Sequence, residues 1–109
     1  MALPHGVSGE SIDVRPLGPR LPTERTAALF KARDLEVIRL VLSAGKSVPP
    51  HRVPGDITIH CLEGSLRIDV DGAASLLNAG ELLFLAGDVV HGVKAISDAS
   101  ALVTIALKP

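Results

Sequence analysis

Two segments of matching layout, each beginning with a glycine and ending with a histidine, constrain the fold of this chain more than any other feature. The first runs from Gly45 to His51 and the second from Gly80 to His91. Both lie in a series of short apolar stretches separated by turn residues, with a spacing of about 8 to 12 residues. That spacing is typical of an all-β sandwich or barrel. We therefore predict an all-β fold.

Alternation of apolar and polar residues supports individual strands. Leu66, Ile68 and Val70 alternate with polar residues, which predicts one buried and one exposed face. Asp71 and Gly72 then form a strong two-residue hairpin signal, because both residue types tolerate positive φ. The predicted strands cover residues 26–31, 35–42, 56–62, 66–70, 82–85, 91–96 and 101–107.

The segment 23–34 allows two interpretations. It contains good helix formers after a suitable cap at Thr23, so it could be a helix. It could equally contain a strand at 26–31 that turns into the next one. We favour the strand, because the segment 35–42 that follows is rich in β-branched residues.

The N-terminal segment differs in composition from the rest of the 109-residue chain. Its prolines argue against a helix, and residues 12–15 could form an edge strand or an arm laid on a partner. The length leaves room for one domain with a single core. We therefore predict a Pro-rich arm at 1–22, which two subunits could exchange, and a barrel at 23–109. The prolines of the arm are Pro4, Pro16, Pro19 and Pro22.

Composition and charge exclude several classes of partner. Hydrophobic residues make up 47% of the chain and only Phe30 and Phe84 are aromatic, so branched aliphatics must fill the core, which suits pleated sheets. The net charge is −1 with scattered Lys and Arg, so we expect no nucleic-acid partner. No apolar run approaches the roughly 18 residues of a membrane helix, and we expect no membrane partner.

Cysteine usage and the first residues bear on the compartment. The single cysteine, Cys61, cannot form an internal disulfide, which fits a reducing environment. The first ten residues lack the basic start and apolar stretch of a signal peptide. We therefore expect a cytoplasmic protein.

The two glycine–histidine segments resemble the two motifs of the cupin family. The first motif carries Gly, His, His, Glu and Gly at fixed spacing, and the second carries Gly, Pro, Gly, His and Asn. The matching positions of the first motif are Gly45, His51, Val53, Ile57 and Gly64. Those of the second are Gly80, Ala86, Gly87-Asp88, His91 and Ala95. From about residue 26 to 107 the chain is similar to small single-domain cupins of the conserved-barrel type, and this resemblance implies an antiparallel jelly-roll β-barrel.

The resemblance also implies where a metal would bind and what is missing there. In typical cupins, two histidines and a glutamate of the first motif and one histidine of the second hold a divalent transition metal. Here Val53 and Ile57 stand at two of those positions, and neither side chain has a lone pair to donate. Catalytic metal sites usually keep three protein ligands. The chain is therefore expected to hold, at most, a weakly bound divalent transition metal at His51 and His91, and no cofactor is firmly implied.

Three nearby side chains are poor replacements for the missing ligands. Strand parity sends Asp56 and His60 to the face opposite Ile57. Cys61 has the right parity but lies four residues beyond Ile57, roughly 13 Å along an extended strand. We expect Cys61 to be a small buried hydrophobe and His60 to lie on the outer face of its sheet.

Two charged residues have open roles. Asp88 could hold the second ring nitrogen of His91, although turn carboxylates are more often solvated. Arg39 interrupts an apolar face of the strand 35–42, so it either reaches the barrel mouth or extends to solvent. We expect it to extend to solvent.

Paired histidines beside apolar neighbours favour a site for a small-molecule ligand. The expected ligand-binding residues are His51, His91, Val53, Ile57 and Val93. No catalytic residue is assigned, and two alternatives stay open. One is a metal-dependent oxygenase or an isomerase with a histidine as general base, which the missing carboxylate disfavours. The other is a non-catalytic structural or regulatory subunit with a filled barrel, which would have little reason to bury two histidines.

The expected assembly is a homodimer. Cupins of this size commonly pair through sheet edges or outer faces, and the Pro-rich arm offers additional contact surface. We therefore expect residues 12–31 to lie at the contact between two copies of the chain.

Overall fold

The computed structural model describes residues 6–107. Within that range the chain forms a short 3-10 helix, Gly18–Thr23, and nine strands, and every strand pair is antiparallel. The all-β prediction is confirmed. The strands are β1 (Ala27–Lys31), β2 (Leu35–Leu42), β3 (Ser47–His51), β4 (Ile57–Glu63), β5 (Ser65–Val70), β6 (Ala73–Asn78), β7 (Leu82–Leu85), β8 (His91–Ala95) and β9 (Ala99–Ala106).

Two sheets enclose the core. The five-stranded sheet has the order β1-β2-β9-β4-β7, and the four-stranded sheet has the order β3-β8-β5-β6. Apolar residues at alternating positions of both sheets point into the space between them, where burial of each aliphatic side chain contributes about 1.5–3 kcal/mol. The buried residues are Leu40, Ile57, Ile59, Cys61, Leu66, Ile68, Leu77, Leu85, Val93, Ala95, Ala99 and Ala101.

All seven predicted strands are present, with small differences at their ends. The ambiguous segment forms β1 from Ala27, so the helix alternative is wrong. The Asp71–Gly72 turn joins β5 to β6 with φ values of 51° and 78°, as the hairpin signal predicts. The suggestion of an edge strand at 12–15 is wrong, because this segment forms no strand. Its side chains instead pair locally, the Arg15 guanidinium with the Asp13 carboxylate at 2.7 Å.

Strand β3 is absent from the strands predicted from the sequence, because it contains Pro49 and Pro50. Proline cannot donate a ladder hydrogen bond, so it is disfavoured inside a sheet. β3 lies at the edge of the four-stranded sheet, where one side of the strand needs no partner. Strand β6, also missed, lies at the opposite edge of the same sheet and is mostly exposed.

Two irregularities in strand register decide which side chains face inward. In the β4–β9 pair the register shifts between Cys61 and Glu63, so Glu63 pairs with Ser100. Regular alternation would have sent Glu63 to the inner face with Cys61. In the β3–β8 pair the register shifts between Val48 and His51. Val48 and His51 therefore face the same space although they are three positions apart, an offset that would put them on opposite faces of a regular strand.

The segment before β1 is held against the five-stranded sheet of its own chain. The Glu63 carboxylate accepts hydrogen bonds from the backbone N–H groups of Leu17, at 2.8 Å, and Gly18, at 3.0 Å. Leu21 is buried. Exchange of this arm between two subunits stays a prediction.

The expectation that Arg39 extends to solvent is wrong. Its guanidinium is buried, donates a hydrogen bond to the Arg15 carbonyl and lies 3.8 Å from the Glu63 carboxylate. It does not reach the inner face either, because its neighbours Ile38 and Leu40 occupy that face of β2. No helix among residues 6–107 is long and apolar enough to cross a membrane.

Candidate functional site

A cavity of about 220 Å³ lies between the two sheets. All five residues expected to bind a ligand line it, together with seven others. In the described part of the chain, the side chains around it are aliphatic apart from two imidazoles and one hydroxyl, and none of them carries a fixed charge. The lining residues are Thr26, Ile38, Leu40, Val48, His51, Val53, Ile57, Ile59, His91, Val93, Val103 and Ile105.

The seven other residues follow from strand pairing rather than from the motifs. Ile38, Val103 and Ile59 are register partners across β2, β9 and β4, so they form one inward row. The alternating pattern of each strand could have identified its inner face, but only the pairing shows which residues meet. Thr26 is the polar member of the seven. Its hydroxyl accepts the Val41 N–H at 2.9 Å and lies 3.2 Å from the Val41 carbonyl.

The two histidines come together because β3 and β8 are neighbours. His51 and His91 are register partners, and their ring centroids lie 4.6 Å apart with planes inclined by 50°. The two rings differ in exposure, since His91 is 4% exposed and His51 is exposed. His51 therefore lies where the cavity meets solvent, and His91 lies deeper.

Backbone carbonyls fix the orientation of both imidazoles. Nδ1 of His51 lies 3.2 Å from the Pro49 carbonyl oxygen, and Nδ1 of His91 lies 3.0 Å from that of Val89. A carbonyl oxygen can only accept, so each Nδ1 carries the hydrogen. In the neutral ring this leaves Nε2 with a free lone pair. Neither Nε2 has a hydrogen-bond partner among residues 6–107.

Two hydrogen bonds join the loop after β3 to the loop before β8. The Asp56 carboxylate accepts the Gly87 N–H at 2.8 Å, and the Val53 carbonyl accepts the Asp88 N–H at 2.7 Å. Gly87 is needed there, because a Cβ at this position would lie 2.1 Å from the Pro54 carbonyl oxygen. These contacts fix the position of Val53 relative to the start of β8. Asp56 acts through this backbone contact, and its side chain does not line the cavity.

Asp88 does not orient His91. The Nδ1 atom of His91 is bonded to the Val89 carbonyl, and the Asp88 side chain is exposed. Asp88 has a positive φ of 65°, a conformation that Asp adopts more readily than most residues. The alternative in which it supports the imidazole is therefore wrong, and its role is in the turn.

The two faces of β4 follow strand parity up to Cys61. Ile57, Ile59 and Cys61 are buried between the sheets, whereas His60 is partly exposed on the other face and does not line the cavity. Cys61 is fully buried, so the prediction of a small buried hydrophobe is confirmed. Burial also raises the pKa of its thiol, which keeps it protonated and unreactive.

The donor set around the cavity does not fit a typical transition-metal site. Among residues 6–107 no group of three or more His, Cys, Asp or Glu side chains could hold a metal ion. Val53 and Ile57 line the same cavity as the two histidines. The two positions where typical cupins carry metal ligands therefore border the cavity, but their side chains have no donor atom. Two imidazoles are fewer than the three protein ligands that catalytic sites usually keep.

Comparison with known proteins establishes the family. The family model described as "Cupin domain" matches residues 38–107, which is more than half of the chain, so the chain belongs to the cupin family. The resemblance noted in the sequence is confirmed. The jelly-roll arrangement expected of a cupin is confirmed as well by solved structures that share the fold. No curated protein matches the sequence.

Three solved structures illustrate the likeness. A conserved protein of unknown function from Streptococcus pyogenes is 20% identical, with a TM-score of 0.76 over 100% of this chain and 98% of its own. An RmlC-like cupin from Desulfovibrio desulfuricans is 25% identical, with a TM-score of 0.77 over 90% of this chain and 97% of its own. KdgF from a Halomonas species is 16% identical, with a TM-score of 0.69 over 77% and 78%.

Proposed function

We propose that this cupin binds a small molecule in the cavity between its sheets, and that His51 and His91 supply the polar contacts. The observation that carries the proposal is the pair of open Nε2 acceptors beside a cavity whose other lining side chains, except that of Thr26, are aliphatic. Ligand sites are usually apolar pockets with a few placed polar groups. An inert core would fill this space with side chains, as close packing is the rule in protein interiors.

The site favours binding over metal chemistry. A metal held by His51 and His91 alone would depend on water for its remaining ligands, so its affinity would be low. The apolar side chains of Val53 and Ile57 instead add contact area for an organic ligand. Each 100 Å² of apolar surface removed from water contributes about 2.5 kcal/mol before the costs of binding. The available contacts therefore support a ligand of modest size and affinity.

The proposal is tested by screening single-ring fragments against protein labelled at the methyl groups of Ile, Leu and Val. We expect binding fragments to shift the methyl resonances of Ile57 and Val93. His51→Ala should weaken these fragments, because it removes one polar contact from an exposed ring without emptying the core. His60→Ala is the matched control, since it removes a histidine that lies outside the cavity.

Two results would contradict the proposal. The first is that every bound fragment shifts resonances elsewhere and leaves Ile57 and Val93 unchanged. The second is that His51→Ala and His60→Ala affect binding equally. Either result would mean that the cavity is packing space and that the histidine pair is structural.

A further inference from the structure

We infer that the ligand is a compact, uncharged and largely apolar molecule that donates a hydrogen bond from a hydroxyl or N–H group to the histidine pair. This inference rests on the proposed function and narrows it to one chemical class. Three features of the site carry it: the direction of the imidazole hydrogen bonds, the uncharged side chains of the lining residues that the structure describes, and the volume of the cavity.

The imidazoles present acceptors, not donors. The single ring hydrogen of each neutral histidine is used in the bond from Nδ1 to a backbone carbonyl, of Pro49 for His51 and of Val89 for His91. A ligand that meets Nε2 of either ring must therefore bring the hydrogen itself. A ligand with only acceptor atoms, such as an ether or ketone, would leave both Nε2 atoms unpaired and would place its own lone pairs against them.

Ionised ligands do not suit the lining. Among residues 6–107 no Lys, Arg, Asp or Glu side chain borders the cavity. The buried Arg39 points to the other side of the sheet, where the Glu63 carboxylate already faces it. A carboxylate or ammonium group in the cavity would lose its hydration without gaining an opposite charge, which costs several kcal/mol.

Volume and shape limit the size of the ligand. The cavity measures about 220 Å³, below the range of about 300–1,000 Å³ that drug-sized ligands occupy. An apolar cavity of about 150 Å³ is sufficient for benzene. Among residues 6–107 no Phe side chain borders the space, so apart from the two imidazoles and Thr26 the contacts come from aliphatic side chains such as Val48 and Ile105. A single ring or a short branched chain with one donor group fits these limits.

The test uses three probes of similar size that differ in charge and in whether they can donate a hydrogen bond. Phenol is neutral and has a donor, anisole is neutral and has none, and benzoate is an anion at neutral pH. Affinities are measured by calorimetry and by the methyl resonances of Ile57 and Val93. We expect phenol to bind about tenfold more tightly than anisole, equivalent to about 1.4 kcal/mol, and benzoate to bind at least tenfold more weakly than phenol.

A variant separates the polar contact from the apolar one. His91→Leu keeps an apolar side chain of similar bulk at the buried position, so anisole should still bind, while the preference for phenol falls because only Nε2 of His51 remains to accept its hydrogen. His60→Ala should leave the preference unchanged. If His91→Leu does not fold, the nitrogen-15 resonances of the native imidazoles give a second readout. They should show the hydrogen on Nδ1 and a bare Nε2 in both rings.

The outcomes distinguish this inference from the proposed function. Equal binding of phenol and anisole, tighter binding of benzoate, or hydrogens on Nε2 would overturn the ligand class. The proposed cavity site would stand in each of those cases, provided that Ile57 and Val93 respond. If none of the three probes affects these methyl groups at millimolar concentration, the proposed function fails and the inference fails with it.

Discussion

The guanidinium of Arg39 lies 3.8 Å from the carboxylate of Glu63, on the side of the five-stranded sheet that faces away from the cavity. Both side chains are mostly buried, with 11% and 15% of their surface exposed. The carboxylate also accepts the Ser100 hydroxyl and the amides of Leu17 and Gly18. One acidic side chain thus joins three strands to the segment that precedes β1.

Removal of this carboxylate should destabilise the protein strongly. Glu63→Ala leaves the Arg39 charge buried without compensation, and loss of one partner of a buried pair costs about 3–5 kcal/mol. The matched control is Asp69→Ala, which breaks the pair of Asp69 with Arg67, where both side chains are more than 40% exposed. An exposed pair contributes less than about 1 kcal/mol. Urea unfolding measures both variants, and equal effects would mean that Glu63 does not anchor the arm.

The same contacts predict how stability depends on pH. Burial pushes the pKa of Glu63 up, but hydrogen bonds from Ser100, Leu17 and Gly18 and the charge of Arg39 outweigh it, so the pKa falls below its ordinary value of 4.5. A lowered pKa in the folded state adds stability above pH 4.5, and this stability is lost as the pH falls through the folded-state pKa. The stability difference between native protein and Glu63→Gln should be constant near neutral pH and shrink below pH 4.5. A difference that grows on acidification would contradict this assignment.

Local patterns predicted most of the fold because the relevant interactions are local. Alternation of apolar residues identified the inner face of β4 from Ile57 to Cys61, and the residue types of Asp71–Gly72 identified a hairpin. The resemblance to the cupin motifs predicted that His51 and His91 lie close together, and the structure shows them as register partners. Their role in binding stays a prediction.

The errors arise where a contact links distant residues or where the register shifts. Arg39 was expected in solvent because nothing near it in sequence shows that the arm and Glu63 would cover it. Glu63 reaches that face only because a bulge follows Cys61, and alternation alone does not locate a bulge. The prolines of β3 are tolerated only because that strand lies at a sheet edge, which depends on the topology of the whole sheet.

A homodimer with residues 12–31 at the contact stays a prediction, and it can be tested with one exposed residue of the arm. Ile12→Glu places a charge in that region and should shift the light-scattering mass towards the monomer at high micromolar concentration. Val90→Glu is the control, because Val90 is an exposed apolar residue outside the region. A monomeric mass for the native protein, or equal effects of the two variants, would contradict the expected contact.

Restoration of the two missing family ligands should create a metal site. Val53 and Ile57 line the cavity beside His51 and His91, so Val53→His with Ile57→Glu would bring four donors to one space. Without metal, the variant should be less stable than the native protein, because Ile57 is buried and a carboxylate there loses hydration. Nickel, manganese or zinc at about 100 times the dissociation constant should then raise the free energy of unfolding by about 2.7 kcal/mol. Thermal unfolding with and without the metal measures this change.

The control moves the same residue types by one position. Arg52→His with Thr58→Glu places a histidine on the exposed Arg52 position and a carboxylate on the outer face of β4, away from His51 and His91. This variant should bind the metals no better than the native protein, because strand parity separates its new ligands from the imidazoles. If Val53→His with Ile57→Glu folds but also binds no better, the four positions do not converge on one point. The histidine pair would then lie too far from Val53 and Ile57 for one ligand to contact all four residues. Val53 and Ile57 would no longer count as part of the proposed binding site.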